Sequence, residues 1–79
     1  MIQVYIRDRN KVYFNGKVDT LTSHNVRGDF DILENHANFL STIDTYIILN
    51  KGLPNEQRIE TTGGVLKVLK NNVKIYLGL

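Results

Sequence analysis

Cysteine is absent from the 79-residue sequence. That absence removes both a disulfide framework and any thiolate metal site, and it fits a reducing compartment. Long apolar runs are missing too, since no stretch approaches the roughly 18 apolar residues of a membrane-spanning helix. The opening Met1-Ile2-Gln3-Val4-Tyr5 has neither the basic flank nor the apolar segment of a secretory signal. Alanine occurs once, at Ala37, while β-branched and aromatic residues are plentiful. Such a balance argues against helices and for sheet. Proline also occurs once, at Pro54. No charge of one sign dominates: ten basic and eight acidic residues leave a net charge of +2. The longest basic cluster, Arg7-Asp8-Arg9-Asn10-Lys11, contains an acid, so it reads as a solvated surface.

What is present suffices for one small domain. A chain of this size buries only about 60–65% of its unfolded surface, so a thin core is expected. At 42% hydrophobic and 23% charged residues the composition is that of an ordinary globular domain.

Alternation of apolar and polar residues recurs along the chain. Ile2, Val4 and Ile6 face one way and Gln3, Tyr5 and Arg7 the other, the mark of a half-buried strand. Asp8-Arg9-Asn10 turns the chain into a second strand, Lys11 to Phe14, with Val12 and Phe14 inward. Asn15-Gly16 is the strongest short hairpin signal, because both residues tolerate the positive φ of a type I′ turn. A third strand from Lys17 to Ser23 would then need a bulge or a strong twist near Asp19-Thr20, since Val18 and Leu21 fall on opposite faces.

Tyr46 to Leu49 reads as a strand covered on both sides. The loop Asn50 to Asn55 joins it as a hairpin to Gln57–Thr61. Gly63-Gly64 marks a bend, Val65 to Leu69 forms a strand, Asn71-Asn72 a second positive-φ turn, and Val73, Ile75 and Leu77 alternate to the end. Turns every 8–12 residues or so are the signature of an all-β sandwich or barrel. The fold expected is a small antiparallel β-sandwich or flattened barrel of about nine or ten short strands.

The stretch from Gly28 to Ile43 is apolar at both ends and polar around Glu34-Asn35-His36. It reads as two short strands anchoring a tight loop, with Phe30, Ile32, Leu33, Phe39, Leu40 and Ile43 pinning both flanks and His36 held at the rim. A loop fixed in this way is more often a contact surface than a flexible connection.

This stretch resembles the central motif of the epsilon subunit of rotary F-type ATP synthases (delta in mitochondria), Gly-x-Phe-Gly-Ile-Leu-Pro-x-His-Ala-Pro-Leu-Leu-Thr-x-Leu. Gly28, Phe30, Ile32, Leu33, His36, Ala37, Leu40 and the small hydroxyl of Ser41 match it. Asp31, Glu34 and Asn38 stand where the family usually has Gly, Pro and Pro. Two further motifs follow the same order. Lys11 to Val18 is similar to the family's early Val-x-Phe-x-Gly-x-Val. Gly63-Gly64-Val65-Leu66-Lys67-Val68, followed by Asn72-Val73-Lys74-Ile75, is similar to its closing Gly-Gly-Phe-Leu-Glu-Val and Asn-x-Val-Thr-Val.

The resemblance covers residues 1–77 and corresponds to the family's N-terminal β-sandwich. It implies a non-catalytic rotor subunit of the central stalk. Such a subunit binds the gamma subunit and, where present, the loops of the membrane ring (the c-ring), and meets the alpha and beta subunits through the complex. It also implies a cytoplasmic place, peripheral to the membrane, in an ATPase that either drives ATP synthesis or serves another mechanical task. Asp29 occupies the position that in the family faces the ring loops, and His36 lies in the loop that approaches gamma. Asp31, Glu34 and Asn38 fall in the same surface, whereas Phe30, Ile32, Leu33 and Leu40 look structural. The family's C-terminal helical hairpin, where its nucleotide contact and braking of hydrolysis reside, is absent from this sequence. The expectation is assembly of the rotor without inhibition.

Enzymatic readings are weaker. His36 lacks a triad or zinc-site spacing around it, and neither its pairing with His24 nor any other pattern suggests a metal or cofactor. Gly63-Gly64 is not followed by the Gly-Lys-Ser/Thr or helix that phosphate binding requires. Tyr5, Tyr13, Tyr46 and Tyr76 offer a stacking platform for single strands, which makes a small nucleic-acid-binding β-barrel the alternative. Tyrosines on half-buried sheets usually pack and keep their hydroxyls wet, so no nucleic acid is the expectation.

Overall fold

The protein is described by a computed structural model that covers residues 1–78. The chain forms β1 (Ile2–Arg7), β2 (Val12–Val18), β3 (Leu21–Asn25), β4 (Gly28–Ile32), β5 (Phe39–Ile43), β6 (Tyr46–Leu49), β7 (Gln57–Glu60), β8 (Gly64–Leu69) and β9 (Asn72–Leu77). They make two sheets, one of five strands in the order β2-β1-β9-β8-β5 and one of four in the order β4-β3-β6-β7.

The period-2 patterns place the core between them. Ile2, Val4 and Ile6 from β1, Leu66 and Val68 from β8, and Val73, Ile75 and Leu77 from β9 point inward from the larger sheet. Leu21, Ile32, Ile47 and Leu49 oppose them from the smaller one. Burying each such side chain contributes about 1.5–3 kcal/mol, the main force closing the sandwich. Phe14, Phe30, Phe39 and Ile59 close its margins, half-buried.

Nine strands in two sheets match the all-β expectation, but four local readings change. Asn15-Gly16 is not a hairpin. β2 runs unbroken through it, with Asn15 opposite Tyr5 and Gly16 opposite Val4. The turn is Asp8 to Lys11, where the Asp8 carboxylate accepts the N–H groups of Asn10 (2.7 Å) and Lys11 (2.8 Å) and so closes the bend. The Phe14 ring lies beside Gly16, 3.4 Å from where a Cβ would stand, an ordinary packing distance.

Asp19-Thr20 is not a bulge either; the chain there crosses from the larger sheet to the smaller, so Val18 and Leu21 are both buried. At the β8–β9 turn the positive φ (58°) belongs to Lys70, and Asn72 is already in the strand. Finally, the sandwich is not wholly antiparallel, because β1 and β9 pair in parallel.

Candidate partner-binding surface

The expected contact residues fall into two groups. Asp29 and Asp31 sit two residues apart on β4, so both project from the outer face of the four-stranded sheet. The Tyr46 hydroxyl donates to Asp29 Oδ1 (2.5 Å), and the buried Thr22 hydroxyl donates to Asp31 Oδ1 (2.6 Å). Glu34, His36 and Asn38 lie instead on the loop that carries the chain from β4 back to β5 in the other sheet.

That loop is tied at several points. The Met1 ammonium donates to Glu34 Oε1 (2.8 Å) and holds the Glu34 carboxyl below its ordinary range. The Asn35 N–H donates to Asn71 Oδ1 (2.8 Å), and the Lys70 N–H donates to Asn38 Oδ1 (3.1 Å). Asn35 takes a positive φ of 64°, which its short polar side chain tolerates. His36 closes the turn through its N–H to the Leu33 carbonyl (3.1 Å). Its Nδ1 lies 2.7 Å from the Ala37 carbonyl, which makes Nδ1 the donor, and its ring packs edge-on to Phe39 at 5.8 Å. His36 is thereby fixed, half-buried, at the end of the sandwich.

Two of the residues expected to anchor this region do not. Leu33 is 51% exposed and Leu40 70% exposed, while Phe30, Ile32, Phe39 and Ile43 provide the anchoring. Leu33 lies past the end of β4, and Leu40 has the outward parity of β5, so alternation turns both to solvent.

The structure also assembles a cluster that no sequence spacing announces. His24 stacks on Tyr46 (centroids 4.4 Å apart), and the Arg58 guanidinium lies over the same ring at 4.7 Å and pairs with Glu60 at 2.7 Å. Strand register alone brings them together, from β3, β6 and β7. The Asp29 carboxylate raises the Tyr46 hydroxyl above its ordinary pKa. His24 Nε2 accepts the Thr45 N–H (3.1 Å), so the neutral ring carries its proton on Nδ1, which is 3.8 Å from Asp44.

Among the described residues no carboxylate is hydrogen-bonded to His36, and no cluster of three or more His, Cys, Asp and Glu is placed to hold a metal. No helix among the described residues is long and apolar enough to cross a membrane.

The family model for the ATP synthase, Delta/Epsilon chain, beta-sandwich domain matches residues 1–77. The chain belongs to this delta/epsilon family. A curated relative, the ATP synthase epsilon chain of Rhodopseudomonas palustris (strain BisA53), is 31% identical over 65 residues, 82% of this chain and 48% of the relative. The chain thus spans about half the length of that relative.

Solved structures share the delta/epsilon fold at low identity. A chain of the Euglena gracilis mitochondrial ATP synthase (OSCP/F1/c-ring, rotational state 1) superposes with a TM-score of 0.85 at 14% identity, covering 96% of this chain and 49% of that one. One from the Tetrahymena thermophila mitochondrial ATP synthase central stalk and c-ring gives 0.80 at 18% identity, covering 96% and 62%.

Proposed function

We propose that this delta/epsilon-family sandwich is a non-catalytic coupling element in the central stalk of a rotary ATPase. It binds the gamma-subunit homologue and, where a c-ring is present, the polar ring loops, and it meets alpha and beta only through the assembled complex. It is peripheral to the membrane, on the face that carries the catalytic head.

The observation that carries this reading is the fixed β4–β5 loop. Glu34, Asn35 and Asn38 are tied to Met1, Asn71 and Lys70, so the His36 end of the domain is held rigid before any partner arrives. Preorganisation of this kind lowers the ordering cost of association. Asp29 and Asp31, on the adjoining outer sheet face, are the groups for polar ring loops, and His36 and Asn38 those nearest gamma.

The test is affinity purification of the tagged chain from detergent-solubilised membranes of its native host. Gamma, alpha and beta homologues are expected in stoichiometric amounts, with their recovery reduced by His36→Ala and that of any c-ring reduced by Asp29→Lys. Recovery of none of the three would overturn the reading.

A further inference from the structure

Asn15-Gly16 is the one Asn-Gly step in the sequence, and β2 runs straight through it without making a turn. Asparagine before glycine is the pair most prone to lose its side-chain amide, because no side chain on the second residue shields the backbone nitrogen. In that reaction the nitrogen bonds to the asparagine Cγ and the amide leaves as ammonia. Water then opens the succinimide ring at either carbonyl, giving aspartate or isoaspartate.

The register of β2 closes this route in the folded domain. The Gln3 N–H donates to the Asn71 carbonyl (2.8 Å), so Gln3 and the alternate residues of β1 turn their main chain toward β9. Val4, between them, turns its N–H and carbonyl toward β2, where its partner is Gly16. The Gly16 nitrogen is thereby held in the β1–β2 ladder. An extended ψ of about +135° also turns that nitrogen away from Asn15 Cγ. The Asn15 side chain is drawn across to β1, its Oδ1 accepting from Gln3 Nε2 (3.1 Å).

β2 is nevertheless the outermost strand of its sheet. Its inward side chains are Val18, buried, and Phe14, only half-buried. Such an edge opens at a lower free energy than the central strands.

We propose that Asn15 is a deamidation site guarded by the β1–β2 ladder, converted only when β2 opens, so that its product records that opening irreversibly. The chemistry is independent of the rotor reading above.

The two products differ in consequence. Aspartate leaves the main chain intact and sets a carboxylate on an outer face whose strands contain no Asp or Glu. It stands in the transverse row Asn15, Tyr5, Lys74, Lys67, where the two lysines are cross-strand partners, and it meets no like charge there. This product closes again. Isoaspartate inserts an extra main-chain carbon before Gly16. Phe14 can then keep its place opposite Ile6 only if Gly16 and Val18 lose theirs opposite Val4 and Ile2.

The test is to hold the 79-residue protein in warm, mildly alkaline buffer, natively and in concentrated urea, and to map deamidated peptides by mass spectrometry. Conversion at Asn15 is expected in both, about a hundredfold slower in the native protein. Phe14→Ala is expected to raise the native rate about tenfold and to leave the rate in urea unchanged. The isolated isoaspartate form is expected to melt below wild type, and Asn15→Asp to melt as wild type does.

Equal wild-type rates in native buffer and in urea would overturn the guard, and this comparison decides even if Phe14→Ala fails to fold. A folded Phe14→Ala protein that converts no faster would show that the route bypasses β2 opening, and would overturn the proposal as well. Persistence of intact Asn15 in urea would overturn the site itself.

Discussion

The Tyr76 carbonyl oxygen occupies the space that a side chain at Gly64 would need: a Cβ there would lie 2.3 Å from it and 3.1 Å from Leu77 Cα. Backbone cannot move aside as the end of a flexible side chain can. Gly64 is also the residue at which β8 pairs with both Ile43 of β5 and Leu77 of β9. Gly64→Ala is therefore expected to destabilise the domain by about 2–3 kcal/mol, read as a lower urea midpoint. An unchanged midpoint would show that β8 and β9 are not packed this closely.

Asn50 fixes the point where the chain changes sheets. It is buried at a positive φ of 56°, its Oδ1 accepts the Asp19 N–H (2.7 Å), and its own N–H donates to the Thr20 carbonyl (3.0 Å). Asn50→Ala is expected to cost about 2–3 kcal/mol, combining the lost acceptor with left-handed strain. Asn50→Gly removes only the acceptor and is expected to lose less. Equal losses in the two variants would show that the backbone conformation contributes nothing.

The Asp8–Tyr13 hydrogen bond (2.7 Å) makes stability sensitive to pH in two separate windows. That bond, with the Lys11 and Asn10 N–H groups, lowers the Asp8 carboxyl below its ordinary 3.8, and the same carboxylate raises Tyr13 above 10.0. The Asp8 contribution is fully present above the unfolded pKa and is lost as pH falls through the lowered one. The Tyr13 contribution is present below its unfolded pKa and is lost as pH rises through the raised one. Ultraviolet titration is expected to show late-ionising phenolates that Tyr13→Phe and Tyr46→Phe each reduce. A curve that neither variant changes would contradict both hydrogen bonds.

His36 is held by its own loop through the Ala37 carbonyl and the Phe39 ring. His36→Ala is expected to weaken association with the gamma homologue about tenfold, measured by calorimetry. His24→Ala, on the outer face of the other sheet, is expected to leave that affinity within about twofold. The reverse ranking would move the gamma contact to the His24–Tyr46 cluster.

Much of this architecture was legible because alternation is local. Ile2, Val4 and Ile6, or Val73, Ile75 and Leu77, report their facing without knowledge of their partners. The Asn15-Gly16 reading failed because a turn dipeptide competes with the residues around it. Phe14, Gly16 and Val18 keep one inward parity after the register shift that turns Val12 outward beside Arg7, and Asp8 already closes a bend. Leu33 and Leu40 misled because apolar character does not state which face a residue takes. The Lys67–Lys74 pair and the stacking of His24, Tyr46 and Arg58 were invisible for a different reason. Each depends on register between separate strands, which spacing within one segment does not encode.

The most direct test is to add the purified 79-residue protein to a rotary ATPase depleted of its delta/epsilon subunit, then follow gamma by size exclusion and ATP hydrolysis by phosphate release. The stalk reading expects co-elution with gamma at one copy per complex, with hydrolysis unchanged or slightly raised. Failure to co-elute, or strong saturable inhibition by this sandwich alone, would contradict it.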